Sequence, residues 1–312
     1  MTANVKVLVA SILLSFILLV VLKCTTGIGS ILRNKVIASR QSLKPRQPRI
    51  AVQTIMIGSL IDDAITNHQS YCSKWGYDHI LVTENSRPER KPTWEKLPSI
   101  LRLFDEGYDY VMQIDYDAFF MNCSISLQPF VDQMEMEGSS WLFGGDQNIV
   151  INAGQMLFRN TDVGRHILQG TDGLWYPGFG RAGGLQDNLA FAAFLGGARR
   201  PNETEITSAS QRCCDCRVTS SNEVKMSLMN RVRKGGPGYK CRLAIKGSRD
   251  ALSLVDASLV KNISLVRQRD INSYDGRYRK GDFIFHCAGM QPKNACWSFF
   301  NHSSSACDGG AS

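Results

Sequence analysis

The segment from Ile50 to Thr83 most constrains what this chain can fold into. Ile50 to Ile57 is an apolar, β-branched run that carries Gln53 and Thr54 and stops at Gly58, which predicts a buried strand. Ile61, Ala64, Ile65, His68, Tyr71, Cys72 and Trp75 then recur at helical spacing, with Gly76 placed to end the helix. His79 to Thr83 reads as the next strand. Strand, helix and strand in that order form a βαβ unit, whose crossover makes the two strands parallel. The expected class is therefore α/β. His68 lies on the apolar face of the helix and is read as a packing residue rather than a ligand.

A second buried strand, Tyr110 to Ile114, is entered from Gly107 and closes on Asp115-Tyr116-Asp117. Open α/β sheets bind ligands at the carboxyl ends of their strands. Residues i and i+2 of a strand point the same way, so the two carboxylates can converge on one hard cation. The alternative is a solvated turn. Ahead of this strand, Pro98 fits the first turn of a helix through Glu106, with Trp94 and Lys96 just before it. Lys96 there is either a phosphate contact beside a helix N-terminus or a solvated lysine.

Beyond Asp117, Leu127, Phe130, Val131 and Met134 mark another amphipathic helix, and Trp141–Phe143 and Ile149–Phe158 read as strands. Asn152-Ala153-Gly154 interrupts the second of these, and glycine inside a strand marks close approach of a ligand or another backbone. Gln186-Asp187-Asn188 follows a glycine-rich stretch and precedes the apolar run Leu189–Leu195. Asp187 is either an N-cap or a carboxylate held at the mouth of a cleft. Residues 200 to 250 read as irregular and tied by disulfides. Asp282 to Phe285 is a late strand that ends in His286. A neutral imidazole joining two carboxylates suits Mn2+, which tolerates nitrogen better than Ca2+ or Mg2+ does.

The N-terminus sets the compartment. Val7 to Leu22 is uncharged and as a helix would reach about 24 Å, short of a bilayer core of about 30 Å. An uncleaved signal anchor suited to a thin membrane of the early secretory pathway is preferred over a cleaved signal peptide. Lys6 precedes the span, whereas Lys23, Arg33, Lys35 and Arg40 follow it, which by charge alone puts the C-terminal side in the cytosol. The sequons at Asn202, Asn262 and Asn301, and Asn122-Cys123-Ser124, point to the lumen instead. Ten cysteines favour an oxidising compartment. Cys213-Cys214-Asp215-Cys216 lacks the usual paired zinc spacing, so disulfides are the preferred reading. The organisation is then residues 1–22 as tail and anchor, 23–48 as stem and 49–312 as one lumenal domain. The net charge of +8 favours an anionic ligand or surface, and no alternation of basic and aromatic residues points to nucleic acid.

Taken in order, these elements resemble glycosyltransferase family 34. The resemblance rests on Trp94-x-Lys96, Tyr108 to Ala118 with its Asp115-Tyr116-Asp117, and Asn152-Ala153-Gly154 with Arg159-Asn160. It continues through Gln186-Asp187-Asn188 and Asp282 to His286 with Gly289, and spans roughly residues 49 to 296. It implies a GT-A fold, a Rossmann-like mixed sheet flanked by helices, behind an N-terminal transmembrane signal anchor. It implies a single-pass type II protein of the Golgi or endoplasmic reticulum membrane, in some cases complexed there with other glycosyltransferases. It further implies a nucleotide diphosphate sugar donor, a glycan or glycoprotein acceptor, Mn2+ or Mg2+, and retention at the anomeric carbon. Matched residue by residue, Asp115, Asp117 and His286 hold metal and diphosphate, and Lys96 contacts the donor. Asn152, Gly154, Gln186, Asp187 and Asn188 line the donor sugar and the reacting centre. Two departures stand out. The family tends to carry two acids and a glutamine at Gln186, Asp187 and Asn188, and a lysine at Gln291. Lys293, two positions later, is the candidate substitute, and the donor sugar is left open. Two rival readings remain: a phosphohydrolase with an Asp-x-Asp nucleophile, and an inactive lumenal binding protein of the same fold.

Overall fold

The computed structural model describes residues 46–58, 61–145, 151–177, 187–202, 204–206, 259, 261–274, 278–287 and 307, and the backbone of 225–230 and 239–244. The anchor span, most of the stem, Gln186, Lys293 and Asn301 lie outside the described residues. Among the described residues no helix is long and apolar enough to cross a membrane.

The βαβ unit forms as its pattern requires. Strand β1 (Ile50–Ile55) is buried throughout, helix α1 (Asp62–Trp75) follows, and β2 (Asp78–Val82) returns parallel to β1. Gly76 ends α1 at φ 70°, a left-handed conformation that costs glycine nothing. A 3₁₀ turn (Pro92–Glu95) leads without a break into α2 (Lys96–Asp105). The helix starts earlier than its sequence pattern suggests, because Pro98 sits in a first turn whose N–H groups lack helical partners in any case. Lys96 is thereby the first helical residue and is carried inward.

Strand β3 (Tyr110–Asp115) pairs parallel with β1, and β4 (Ala118–Phe120) follows after a two-residue turn. Helix α3 (Gln128–Glu137) leads to β5 (Trp141–Gly145) and β6 (Ile151–Arg159). β6 runs unbroken through Asn152-Ala153-Gly154, contrary to the interruption expected there. The irregularity falls on its partner, where register shifts between Phe143 and Gly145. Helix α4 (Asp162–Asp172), capped by the Thr161 hydroxyl accepting from Gly164 N–H, and helix α5 (Asp187–Leu195) complete this layer. β7 (Lys225–Asn230) and β8 (Tyr239–Ala244) form an antiparallel pair inside the stretch read as irregular. That stretch is rich in charge, which hid the strand alternation. β9 (Ile263–Val266), the short α6 (Gln268–Ile271), β10 (Ser273–Tyr274) and β11 (Ile284–His286) follow.

The main sheet has the order β2-β1-β3-β6-β5-β9, and the smaller one β10-β11-β4. β6 is antiparallel to β3 and β5, so the sheet is mixed. One face packs Trp94, Leu97 and Phe104 of the α2 region, Ile167 and Leu168 of α4, and Phe191 and Phe194 of α5 against Val111, Trp141 and Phe158. The other packs Tyr71 and Cys72 of α1 and Val131 and Met134 of α3 against Val52, Met112 and Phe120. Fully burying each large aromatic or aliphatic side chain contributes about 1.5–3 kcal/mol, so the two faces together hold the sheet between helical layers.

The small sheet is fixed to α1. Asn67 accepts from Phe120 N–H at 2.8 Å and donates to the Phe120 carbonyl at 3.0 Å, and Tyr71 stacks on the Phe120 ring at 3.7 Å. A Cys123–Cys307 disulfide, spanning 184 residues, ties the C-terminal region to the same place. Cys287 is also disulfide-bonded. His68 is fully buried and donates from Nε2 to the Ala118 carbonyl at 2.8 Å. Its Nδ1 therefore accepts from the Thr54 hydroxyl at 2.9 Å, and the Thr54 oxygen accepts from His79 Nε2 at 3.1 Å. Burial pushes the His68 pKa down to about 3.

Candidate active site

The carboxyl ends of the two sheets converge on one polar cluster. β3 ends in Asp115, the tight turn that follows holds Asp117, and β11 ends in His286 opposite Ala118. Single oxygen or nitrogen atoms of Asp115, Asp117 and His286 lie within 4.8 Å of one another. His286 Nε2 is 3.3 Å from Asp117 Oδ1 and 3.9 Å from Asp115 Oδ2. Asp117 and His286 are buried, and the Asp115 side chain is 26% exposed.

The orientation of His286 is set from behind. Its Nδ1 is 2.8 Å from Asn272 Oδ1, an atom that only accepts, so the proton sits on Nδ1. That leaves Nε2 as the nitrogen that faces the carboxylates, the one a metal would take. Asn272 is oriented in turn by donating from Nδ2 to the Tyr274 hydroxyl at 3.3 Å, and Asn152 Nδ2 donates to the same hydroxyl. The Tyr274 ring lies 5.6 Å from the His286 ring. Asn272 and Tyr274 had no signal in the sequence. They join His286 only through the pairing of β10 with β11, in which Tyr274 stands opposite His286.

Gly154 of β6 explains why the strand carries no side chain there. A Cβ atom on it would lie 2.8 Å from each of Asn152 Oδ1, Asp115 Oδ2 and His286 Cε1. β6 approaches the cluster as closely as a backbone can. Asn152 Oδ1 accepts from Gly154 N–H at 2.8 Å and Asn188 Oδ1 from Ala153 N–H at 2.7 Å. Asn152, Gly154 and Asn188 thus fix one segment of β6 backbone against the cluster.

Lys96 is buried within the cluster. Its Nζ is 2.9 Å from each of Asp115 Oδ1, Asp187 Oδ2 and the Ala153 carbonyl oxygen, which uses its three protons. The side chain is 3% exposed. Burial lowers its pKa, but the carboxylates of Asp115 and Asp187 outweigh burial together and hold the ammonium charged. Asp187 is the first residue of α5, and its carboxylate is spent on Lys96 at 2.9 Å. For Asp115, burial is the largest influence and raises its pKa. The charges of Asp117 and Asp187 act in the same direction, against the lowering by Lys96 and His286. Asp115 thus pairs with the lysine through Oδ1 and lies nearest His286 through Oδ2.

The donor set fits a divalent cation that tolerates nitrogen: two carboxylates and a neutral imidazole, with a glycine cradle that leaves room beside them. Of the site residues read from the sequence, Lys96, Asp115, Asp117, Asn152, Gly154, Asp187, Asn188 and His286 belong to this one network. Gln186 and Lys293 fall outside the described residues.

Residues 50–137, from β1 through α3 and including Lys96, Asp115 and Asp117, match the model of the galactosyl transferase GMA12/MNN10 family. The match supports glycosyltransferase activity, and glycosyl transfer from a sugar donor as its form. No curated protein matches the chain. Among solved structures, one likeness is to a glycosyltransferase involved in glycosylation of the major capsid of PBCV-1. It shares 10% identity at TM-score 0.47 and covers 82% of this chain and 100% of that one. Another is to the catalytic domain of Drosophila β1,4-galactosyltransferase 7 with xylobiose, at 10% identity and TM-score 0.30, covering 67% of this chain and 98% of that one. A variant of that enzyme was solved with manganese, UDP-Gal and xylobiose, at 12% identity, TM-score 0.30 and the same coverage. At these scores nothing about this chain's chemistry follows from them.

Proposed function

We propose that this protein is a metal-dependent glycosyltransferase. It moves a hexose or pentose from a nucleotide diphosphate sugar to a glycan acceptor, with retention at the anomeric carbon. The observation that carries this is the convergence of Asp115, Asp117 and His286 with the His286 proton held on Nδ1. A divalent cation bound there would act as Lewis acid for the charge that grows on the leaving diphosphate. The protein's own residues hold the rest. Asp115, Asp117 and His286 would hold the cation with the diphosphate, and Lys96 fixes Asp115 and Asp187 in one arrangement. Asn152 and Asn188 pin the Gly154 segment, so the donor sugar meets bare backbone there.

The anomeric carbon gains positive charge as the glycosidic bond breaks, as in glycoside hydrolysis. Asp187 supplies a fixed negative field near that centre, but its ion pair with Lys96 suits it to electrostatic stabilisation rather than covalent attack. In a front-face reaction the leaving phosphate accepts the acceptor's proton, so no separate base is needed. This accords with a cluster whose described carboxylates are all engaged. We place the enzyme in the Golgi or endoplasmic reticulum membrane as a single-pass type II protein, on the span at Val7 to Leu22 and the lumenal sequons.

The test is a screen of nucleotide sugars against the full chain in detergent, with and without Mn2+, reading nucleoside diphosphate release. Metal-dependent release with one sugar is expected, together with its loss in Asp117→Asn at unchanged folding. Metal-independent release, or none with any donor, overturns the reading. The anomeric configuration of the product tests retention separately.

A further inference from the structure

A cavity of about 850 Å³ opens between α6, β10, the chain from Tyr278 to Phe283, and the connection from β4 to α3. Its size falls in the range of about 300–1,000 Å³ that small-ligand sites occupy. Tyr274 lines it, and the hydroxyl of Tyr274 accepts from Asn152 while its ring stands 5.6 Å from that of His286. The cavity therefore shares a wall with the metal-ligand cluster but contains none of its ligands.

The chemistry of the lining is one-sided. Asp282, at its base, is buried and already satisfied. It accepts from Arg269 Nη2 at 2.5 Å, from the Ser273 hydroxyl at 2.7 Å and from Arg279 N–H at 2.9 Å. Burial raises the Asp282 pKa, but these partners outweigh it and hold the group below the usual carboxylate range, so it stays an anion tied to Arg269. Asp270 is paired with Arg267 at 2.9 Å. One donor group remains over: the guanidinium of Arg279 has no carboxylate partner among the described residues. Phe130 and Phe283 stack at 5.6 Å on the apolar side, with Tyr274 and Tyr278 also lining the space.

We propose that this cavity is the binding site for the acceptor, and that the acceptor is an oligosaccharide carrying an anionic substituent. Aromatic side chains offer apolar faces to the C–H faces of sugar rings. The surplus guanidinium donors of Arg279 call for an acceptor-only group, a carboxylate or a phosphate. The ligand's role as acceptor rests on the glycosyl-transfer reading; its binding does not.

The test is calorimetric titration of the full chain in detergent, without donor or metal, by three oligosaccharides of one backbone: neutral, uronate-bearing and phosphate-bearing. At least one charged member is expected to bind about ten-fold or more tighter than the neutral one, as one charge-assisted fork-to-anion contact gives. Arg279→Ala should remove that preference. Which charged member wins distinguishes carboxylate from phosphate. Equal binding of all three, or a preference that survives Arg279→Ala, overturns the proposal. Because nothing in this titration depends on transfer, a failed donor screen and a failed titration remain separate results.

Discussion

Lys96→Met removes the charge that the site's geometry depends on. The ammonium is buried and has three partners, each at 2.9 Å. Methionine nearly keeps the side-chain length and loses every hydrogen bond. Asp115 and Asp187 then face each other without a counter-ion, and the Ala153 carbonyl loses its side-chain donor. Breaking a buried ion pair from one side costs about 3–5 kcal/mol, and an orphaned buried acceptor about 1–3 kcal/mol. The two overlap, so a loss of about 3–5 kcal/mol is expected. That is a large share of the roughly 5–15 kcal/mol that holds a typical domain together. The assay is urea unfolding of Lys96→Met, Asp187→Asn and the double variant, without metal or donor. The double variant should be less destabilised than the sum of the singles by about 1–3 kcal/mol, the coupling of two contacting groups. A lysine whose only task is to grip the donor phosphate would leave the unfolding midpoint where it is and raise the donor KM instead. An unchanged midpoint, or additivity within about 0.5 kcal/mol, would refute the buried-bridge account.

Gly154→Ala puts a Cβ atom 2.8 Å from three atoms of the cluster, and should weaken Mn2+ binding, read by electron paramagnetic resonance, by about ten-fold or more. Asn272→Ala leaves His286 free to turn or to change tautomer, and the same measurement should show a loss of about 10- to 100-fold. Cys307→Ser opens a loop of 184 residues, so chemical unfolding should show a loss of about 2–5 kcal/mol. His68 has a pKa depressed to about 3 in the fold against an ordinary 6.5. The unfolded chain therefore binds the extra proton between these values. The stability His68 contributes is complete above about pH 6.5 and is lost as pH falls toward 3. Between pH 6.5 and 4.5 that loss is about 2 kcal/mol. In His68→Gln the unfolding free energy should fall by about that much less over the same interval, and an equally steep fall would show that His68 does not stay neutral.

The sequence made the sheet's inner strands legible because burial on both faces left mostly apolar runs at β1 and β3, and because Gly58 follows the first and Gly107 precedes the second. It made Asp115, Asp117 and His286 legible for a related reason: each charged or polar residue ends such a run, and the end of a strand is where a sheet exposes function. Helix α4 escaped notice because its buried positions, Gly164, Ile167, Leu168 and Thr171, include a glycine and a threonine, which blur an apolar stripe. The β7–β8 pair does alternate, with Met226 and Leu228 in one strand and Tyr239, Cys241 and Leu243 in the other, but its short runs lie among many charged residues and cysteines. The sequence could not show that Lys96 points inward. A lysine before a proline-bearing helix looks solvated, and only the continuous 3₁₀-to-α entry turns it toward Asp187, a residue 91 positions away. Asn272 was out of reach for the same reason, since its link to His286 exists only in the strand pairing.

The charge balance of the cluster supports the metal reading independently of any motif. Among the described residues it holds three carboxylates, Asp115, Asp117 and Asp187, and one ammonium, Lys96, beside His286, which a metal would bind as the neutral ring. Three negative charges and one positive leave two negative charges in a site whose side chains are mostly buried. Packing anions together is costly: beside the larger effect of burial, Asp117 and Asp187 both push the Asp115 pKa upward. A fold does not keep such an excess for stability, because burying charge without compensation works against it. One divalent cation cancels it. The consequence is measurable without any substrate: Mn2+ at 100 times its dissociation constant should stabilise the protein by about 2.7 kcal/mol. Asp117→Asn, which removes one ligand and half of the excess charge, should melt at the same temperature with or without the ion. If thermal melting of the unaltered protein ignores Mn2+ as well, the two surplus charges are balanced by something other than a metal, and the assignment of Asp115, Asp117 and His286 as its ligands fails with it.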